Sequence, residues 1–147
     1  MKITKVVCSG GLTGFYFDDQ KAIKAGAQSD GAMYIGEPRT AGFSRIRQPG
    51  ESISVMIFLE DGRYGWGDCA AVQYSGAGGR DPLFLADTFI PLIENEVASH
   101  LVGQEADSFV RLAREIDALT DQNGRHLHTA IRYGVSQAIL DAVSKAK

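Results

Sequence analysis

Apolar residues in the first half of the chain are spaced as in β-strands. Ile3, Val6 and Val7 form a short run that ends at the small residues 9–11. Further along, alternating or continuous apolar segments predict an antiparallel three-stranded meander across Phe43 to Cys69. We expect its strands at residues 43–47, 52–59 and 64–69, with turns at 48–51 and 60–63. Pro-Gly suits the first turn, and Asp-Gly suits a type I′ second turn.

Residues Thr13 to Thr40, between the first run and the meander, show no clear periodicity. They are rich in Gly, Asp and Gln. The aromatic residues 15–17 argue against disorder, so we expect a long ordered loop. Loops of this length in compact domains are usually functional or disordered, which makes this one a candidate functional segment.

The second half has helical periodicity. Pro82 is favourable at a helix start, and Pro91 predicts a kink or two shorter helices before a stop at Gly103. A second helix is expected after a cap at residues 107–108 and a third from about residue 127. Strands followed by helices predict an α+β fold, an antiparallel β-meander followed by a helical bundle.

Composition then restricts the class of protein. The 147 residues suit one domain, residues 1–147, and the net charge of −3 without a basic cluster argues against nucleic-acid binding. No apolar run reaches the roughly 20 residues that a membrane helix needs, and we expect a cytoplasmic protein. Cys8 and Cys69 lack metal-ligand spacing, so free thiols are favoured, although a disulfide stays open.

A glycine-rich segment, residues 74–81, is the first candidate for chemistry. It follows a predicted strand and precedes a predicted helix, a position in which backbone amides and Arg80 could hold a phosphate or nucleotide. It lacks the Lys-Ser/Thr pair of a P-loop, and its strand belongs to an antiparallel meander. A loop that closes over something is therefore favoured. Gln73 begins this loop and could fix a polar substrate through its amide, or could be structural.

The titratable residues predict no catalytic set. His126 and His128 are two residues apart and should point in different directions, so a shared metal is not expected. We expect both, and His100, to be structural or solvated. The carboxylates at positions 18, 19, 94 and 96 show no pairing for acid–base work and are expected to be solvated. The residues therefore predict neither a catalytic group nor a metal site in this chain.

Three stretches resemble one known family over nearly the whole chain. They are GLTGFYFDDQ at residues 11–20, DCAAVQYSGAGGRDPLFLA at 68–86, and HLHTAIRYGVSQAILD at 126–141. They are similar to methylaspartate ammonia-lyases, which are members of the enolase superfamily. The resemblance implies an enolase-like N-terminal capping domain, truncated before a (β/α) barrel that carries the active site at the carboxyl ends of its strands.

The same resemblance implies an activity that this chain does not have by itself. The family reversibly deaminates 3-methylaspartate to mesaconate in what we expect to be a homodimer. Mg²⁺ held by barrel carboxylates, with a barrel lysine and a barrel histidine as bases, performs the chemistry. The cap contributes specificity and closure through two loops, here residues 13–40 and 70–80. Gln73 matches the family position near the amino group of the substrate. A phosphate-binding module and a protein-interaction domain remain the alternatives.

Overall fold

The computed structural model describes residues 1–71 and 81–147 and has an α+β architecture. A three-stranded antiparallel sheet has the strand order β1–β4–β5, and a small hairpin, β2–β3, lies outside it. The elements are β1 (Ile3–Asp18), α1 (Gln20–Lys24), β2 (Ser29–Asp30), β3 (Met33–Tyr34), β4 (Arg47–Leu59), β5 (Tyr64–Ala70), α2 (Ala86–Leu92), a π-helical turn (Ile93–Val97), α3 (Ala98–Leu101), α4 (Phe109–Asp117) and α5 (Thr129–Ala146). The predicted fold class is confirmed.

The central strand β4 shows why one face of the sheet is covered. From Ser52 its residues alternate, and the apolar side chains of Ile53, Val55, Ile57 and Leu59 are buried against the helices. The intervening side chains lie on the opposite face and are only half-buried. This period of two divides the sheet into a core face and an open face.

The first strand of the meander was predicted wrongly. Residues 43–46 are not a strand, and β1 takes the place beside β4, with Gly11 opposite Ser52 and Asp18 opposite Arg47. The expected turn at 48–51 is instead part of β4. Its Pro49 is tolerated there because β5 pairs only with residues 52–58, which leaves β4 an edge strand at this point.

Gly50 explains how β4 continues through this region. The pairing with β1 shifts between Leu12 and Tyr16, so extra residues of β1 bulge toward β4. A Cβ atom on Gly50 would lie 2.5 Å from the Thr13 hydroxyl and 3.0 Å from the Phe15 carbonyl oxygen. Gly50 is therefore needed because β1 and β4 approach each other closely at this point. The sequence had instead favoured a turn here.

The expected long loop at 13–40 is also corrected. Its first residues belong to β1, which continues to Asp18, and α1 and the β2–β3 hairpin follow. Phe17 is buried, and it anchors the segment in the core. The second hairpin is confirmed at 60–63, but only Gly62 of its turn has positive φ, whereas a type I′ turn requires two such residues.

The first long helix begins at Ala86, four residues after Pro82, where the sequence favoured its start. Instead of breaking at Pro91, the helical backbone widens into the π-helical turn at 93–97 and continues to Leu101. A proline that donates no hydrogen bond is accommodated by such a local change of helical pitch. The predicted stop at Gly103 is confirmed, with φ of 90°.

Helix α5 packs unusually close to β5 because small residues face each other. A Cβ on Gly67 would lie 2.7 Å from the Ala138 amide nitrogen, and a Cβ on Gly134 would lie 2.5 Å from the Cys69 amide nitrogen. A Cβ on Gly65 would approach the Cβ of Ala142 to 2.7 Å. The two backbones thus touch where side chains would normally separate them.

This proximity lets α5 protect the free edge of the sheet. Gln137 and Asp141, one turn apart, accept hydrogen bonds from the amides of Asp68 (3.1 Å) and Trp66 (2.9 Å). Lys145, a further turn along, donates to the Tyr64 carbonyl oxygen at 2.9 Å. Side chains of the helix therefore occupy edge groups of β5 that another strand could otherwise pair with.

Candidate functional site

The open face of the sheet contains a candidate site. A cavity of about 830 Å³ lies where the bulge of β1, the middle of β4 and the end of β5 meet. Its lining residues are Gly11, Leu12, Thr13, Phe15, Ser52, Ser54, Trp66, Asp68, Ala70 and Ala71. We call it the open-face cavity. The last of these residues, Ala71, lies two positions before Gln73 and the glycine-rich segment that follows it.

The open-face cavity is mostly apolar, with one polar corner. Leu12, Phe15 and Trp66 are 71%, 73% and 52% exposed, which is high for large apolar side chains. The Asp68 carboxylate accepts hydrogen bonds from the Ser54 hydroxyl at 2.8 Å and from the Trp66 indole at 3.4 Å. These groups can hold and orient a partner, and an apolar patch of this kind is typical of an interaction surface.

A partly buried ion pair joins the last residue of β1 to the first residue of β4. Arg47 donates to both carboxylate oxygens of Asp18, at 2.7 and 2.8 Å, and its third donor reaches the Ala32 carbonyl oxygen. The guanidinium also lies 5.4 Å from the ring of Tyr16 and 5.0 Å from that of Tyr34. The hydrogen bonds to Asp18 raise the Arg47 pKa further. This bidentate pair contradicts the expectation that Asp18 is solvated.

Asp19 is fully buried, which also contradicts the expectation. One carboxylate oxygen caps α1 through the amides of residues 21 and 22, and the other accepts from the amides of Arg39 and Thr40. The Thr40 hydroxyl donates at 2.6 Å. Burial by itself would raise the pKa of Asp19, but these hydrogen bonds outweigh it and lower the pKa. Asp19 therefore ties both ends of the 20–40 segment together.

A histidine fixes the chain on the far side of the glycine-rich segment. His128 is buried and caps α5, its Nδ1 accepting from the Ala130 amide at 3.0 Å. Its Nε2 lies 3.0 Å from the Pro82 carbonyl oxygen. Asp81 accepts from the Thr129 amide at 3.3 Å. The expectation of a structural His128 is confirmed, while His100 and His126 are exposed.

The remaining candidates fall partly outside the described residues. These are Gln73 and residues 74–80 of the glycine-rich segment, Arg80 included. Cys8 and Cys69 are free, and burial raises the pKa of each thiol to about 12, so both stay protonated at neutral pH. Glu94 and Glu96 are exposed, although Glu94 accepts from the Cys8 amide at 3.1 Å.

A metal site needs a cluster of ligating side chains, and a membrane span needs a long apolar helix. Across residues 1–71 and 81–147, no three His, Cys, Asp or Glu side chains converge on a common point that could hold a metal ion. These ranges therefore offer Mg²⁺ no preformed cluster of carboxylates. In the same two ranges, no helix combines the length and the apolar character needed to cross a bilayer.

Sequence reasoning missed the structural carboxylates and the tether at His128. Asp19 did carry a usable signal, because an aspartate directly before Gln-Lys-Ala-Ile is a typical N-cap. Asp18 carried none, since its partner Arg47 is 29 residues away. The contact of His128 with Pro82 spans 46 residues and likewise could not be seen in the sequence.

Comparisons with known proteins give consistent matches. The family model described as the N-terminus of methylaspartate ammonia-lyase matches residues 1–147. The methylaspartate ammonia-lyase of Clostridium tetanomorphum is 63% identical over all 147 residues, which span 35% of its length. The chain thus spans about a third of the length of the curated relatives that it matches.

Solved structures agree with the sequence matches. The Mg complex of β-methylaspartase from Clostridium tetanomorphum superposes with a TM-score of 0.93 at 63% identity, over 99% of this chain and 35% of that one. The Citrobacter amalonaticus enzyme containing (2S,3S)-3-methylaspartic acid gives 0.93 at 53% identity, over 100% and 36%. Muconate lactonizing enzyme from Pseudomonas putida gives 0.56 at 17% identity, over 99% and 30%, a likeness of fold alone.

Proposed function

This chain belongs to the family of methylaspartate ammonia-lyase N-terminal domains, and from that membership we propose that it is the capping domain of an enzyme that reversibly deaminates 3-methylaspartate to mesaconate. The observation that carries the proposal is the 63% identity to a methylaspartate ammonia-lyase. The aligned region covers all 147 residues of this chain and 35% of that enzyme. The domain takes up the whole of residues 1–147 and acts with a (β/α) barrel domain in a cytoplasmic homodimer.

The proposed role of the cap is specificity and closure rather than bond breaking. Among the described residues, the open-face cavity offers hydroxyls, an indole and one hydrogen-bonded carboxylate, Asp68. The two cysteines are held protonated, and His128 has both nitrogens engaged. Abstraction of a proton next to a carboxylate needs a base of matched pKa, so the base comes from the barrel domain.

Mg²⁺ is likewise assigned to the barrel domain. A solved relative is described as a Mg complex, and another contains 3-methylaspartic acid. When bound, the ion would stabilise the negative charge that develops on the substrate carboxylate. This chain contributes two segments beside the site: residues 13–40, held by Asp18 and Asp19, and residues 70–80, of which Ala70 belongs to β5.

Gln73 is the proposed substrate contact of this chain. The proposal rests on the resemblance of residues 68–86 to the family and on the ability of an amide to hold an amino group without titrating. In a complete enzyme, Gln73→Ala should change the relative rates with different amines in the reverse reaction while unfolding at the same temperature. Gln20→Ala, a change of the same kind at a partly exposed position, is the matched control. An unchanged amine preference would refute the assignment.

The test of the whole proposal is a hybrid enzyme. This chain replaces the corresponding first third of the Clostridium tetanomorphum enzyme, and mesaconate formation is followed by ultraviolet absorbance with Mg²⁺ present. We expect activity in the hybrid and none in either part by itself. A folded hybrid, verified by circular dichroism and cooperative unfolding, that forms no mesaconate would overturn the proposal.

An interaction role is the second candidate, and exposed apolar side chains favour it. Leu12, Phe15 and Trp66 present an uncovered patch on the open face. If interaction with another protein is the function, the patch should bind a barrel domain without restoring lyase activity.

The phosphate-binding alternative is tested by isothermal titration with nucleotides. It requires a heat of binding when ATP is added, and the absence of that heat would exclude it.

A further inference from the structure

Small side chains make the floor of the open-face cavity. Gly11, Ser52 and Ala70 lie side by side across the three strands of the sheet. Larger side chains of the β1 bulge and of β5 stand around them. The enclosed volume of about 830 Å³ falls within the range of roughly 300–1,000 Å³ that small-molecule sites usually have. The cavity is therefore large enough to hold a small organic ligand.

A single carboxylate gives the described lining of this cavity its charge. Among the lining residues that the structure describes, only Asp68 has an ionisable carboxylate or basic side chain. It lies directly opposite Ser54 on β4 and accepts at Oδ1 from the Ser54 hydroxyl (2.8 Å) and from the Trp66 indole (3.4 Å). Because both of these bonds reach the same oxygen, Oδ2 can accept from a ligand without either bond being broken.

The aromatic side chains beside the carboxylate add a second attraction for positive charge. The indole of Trp66 is oriented by its hydrogen bond to Asp68, and both Trp66 and Phe15 are more than half exposed. The face of an aromatic ring attracts a cation, and tryptophan does so most strongly. A carboxylate next to exposed aromatic rings therefore favours an ammonium group. A ligand carboxylate would instead be repelled by the charge of Asp68.

We propose that the open-face cavity is a binding site for a primary alkylammonium ion. The ammonium group donates to Oδ2 of Asp68 and lies against the indole of Trp66, and the alkyl chain covers Leu12 and Phe15. The same charge argument excludes mesaconate, a dicarboxylate, as the occupant of this cavity. The proposal does not depend on the lyase assignment, because the residues that carry it all belong to the sheet of this chain.

The fluorescence of Trp66 measures binding directly, because it is the single tryptophan of the chain. At constant ionic strength we expect pentylammonium to change the emission in a saturable way. It should bind more tightly than pentan-1-ol and pentanoate, which have the same chain length. Each methylene added from propylammonium to pentylammonium should raise the affinity by up to about fourfold, the effect of burying one such group. Equal affinities for the three head groups, or no saturable change, would overturn the proposal.

Asp68→Asn removes the charge and keeps the shape of the side chain. Its amide oxygen can still accept from the Ser54 hydroxyl and from the indole, so the variant should unfold with the parent. We expect it to bind pentylammonium about fivefold more weakly, the upper value for an exposed ion pair, and pentan-1-ol with unchanged affinity. Asp30→Asn, exposed on β2 and outside the cavity, changes the net charge equally and should match the parent. A stable Asp68→Asn chain with parental affinity for pentylammonium refutes the proposal.

NMR locates the ligand, and the hybrid enzyme distinguishes the possible occupants. In ¹⁵N–¹H spectra of the chain, pentylammonium should shift the amides of Gly11, Ser54 and Ala70, and shifts confined to the helices would contradict the proposal. Calorimetric titration of the hybrid should give the same fivefold difference between the parent and Asp68→Asn. If the difference disappears there, another part of the enzyme fills the cavity and the proposal is wrong. A hybrid that keeps the difference but forms no mesaconate refutes the lyase assignment alone.

Discussion

Gly67→Ala tests the contact between α5 and β5 with the addition of a single methyl group. The new Cβ would lie 2.7 Å from the Ala138 amide nitrogen, 2.9 Å from the Gln137 Cβ, and closer still to the Gly134 carbonyl oxygen. Ordinary contacts begin near 3.4 Å, and the nearest of these atoms belong to a helix backbone that cannot rotate away. Helix α5 must therefore move outward from the sheet by roughly 1 Å or more. The residues packed around the helix leave little room for this movement.

The loss of folding free energy in Gly67→Ala can be estimated from the known effect of adding a methyl group to a packed core. A buried methyl group that displaces the backbone costs about 1–3 kcal/mol and occasionally more, and we expect the upper end, about 3 kcal/mol, since backbone atoms of two elements collide. For a chain of 147 residues this lowers the unfolding midpoint by roughly 6–12 °C. The outward shift would also lengthen the bonds from Gln137 and Asp141 to the edge of β5.

Urea unfolding followed by circular dichroism measures this cost. Gly11→Ala is the matched control, because it also adds a methyl group within the sheet, where the nearest obstacle is the rotatable Ser52 hydroxyl at 3.3 Å. The control should unfold within about 1 kcal/mol of the parent. If Gly67→Ala is no less stable than Gly11→Ala, the close approach of the two backbones is not a requirement of this fold.

Three further predictions address the other contacts. Asp19→Ala should lower the free energy of unfolding by about 3 kcal/mol in urea titrations, because buried amides lose their acceptor, whereas exposed Asp30→Ala should be near neutral. Gln137→Ala frees the Asp68 amide at the sheet edge and should cost about 1 kcal/mol while increasing light scattering on heating. Because the pKa of His128 is lowered in the folded state, the unfolded chain binds the proton at a higher pH than the folded chain does. The contribution of His128 to the free energy of unfolding is therefore fully present above about pH 6.5 and is lost as the pH falls below that value. His128→Asn should remove this pH dependence from calorimetric unfolding.

The candidate site was predictable only in part. Recognition of residues 68–86 located the segment that follows β5 and identified Gln73 as the residue to test. The open-face cavity was not predictable, since it combines the bulge of β1 with β4 and β5, and Gly50 had indicated a turn. The expectation of solvated carboxylates failed at Asp18 and Asp19 because it considered composition without partners. Arg47 and Thr40 reach Asp18 and Asp19 from more than 20 residues away.

The sequence by itself determined which segments form strands and helices wherever the period was clear. The apolar run in residues 52–59 predicted the central strand, although it was expected to be apolar on both faces near its end, and Ser108 and Gly103 marked helix ends that the structure confirms. These are local effects of side-chain spacing, capping and backbone freedom. The family likeness of the chain was also contained in its residues.

Tertiary structure alone decided which strands are neighbours and which polar groups are buried. Residues 3–18 take the edge beside β4, a pairing that connects residues up to 56 positions apart. The glycines at 65, 67 and 134 are needed because α5 packs closely against β5, and the sequence does not show this contact. The physical reason is the same in each case: such contacts depend on shape complementarity between distant segments, and local spacing does not encode it.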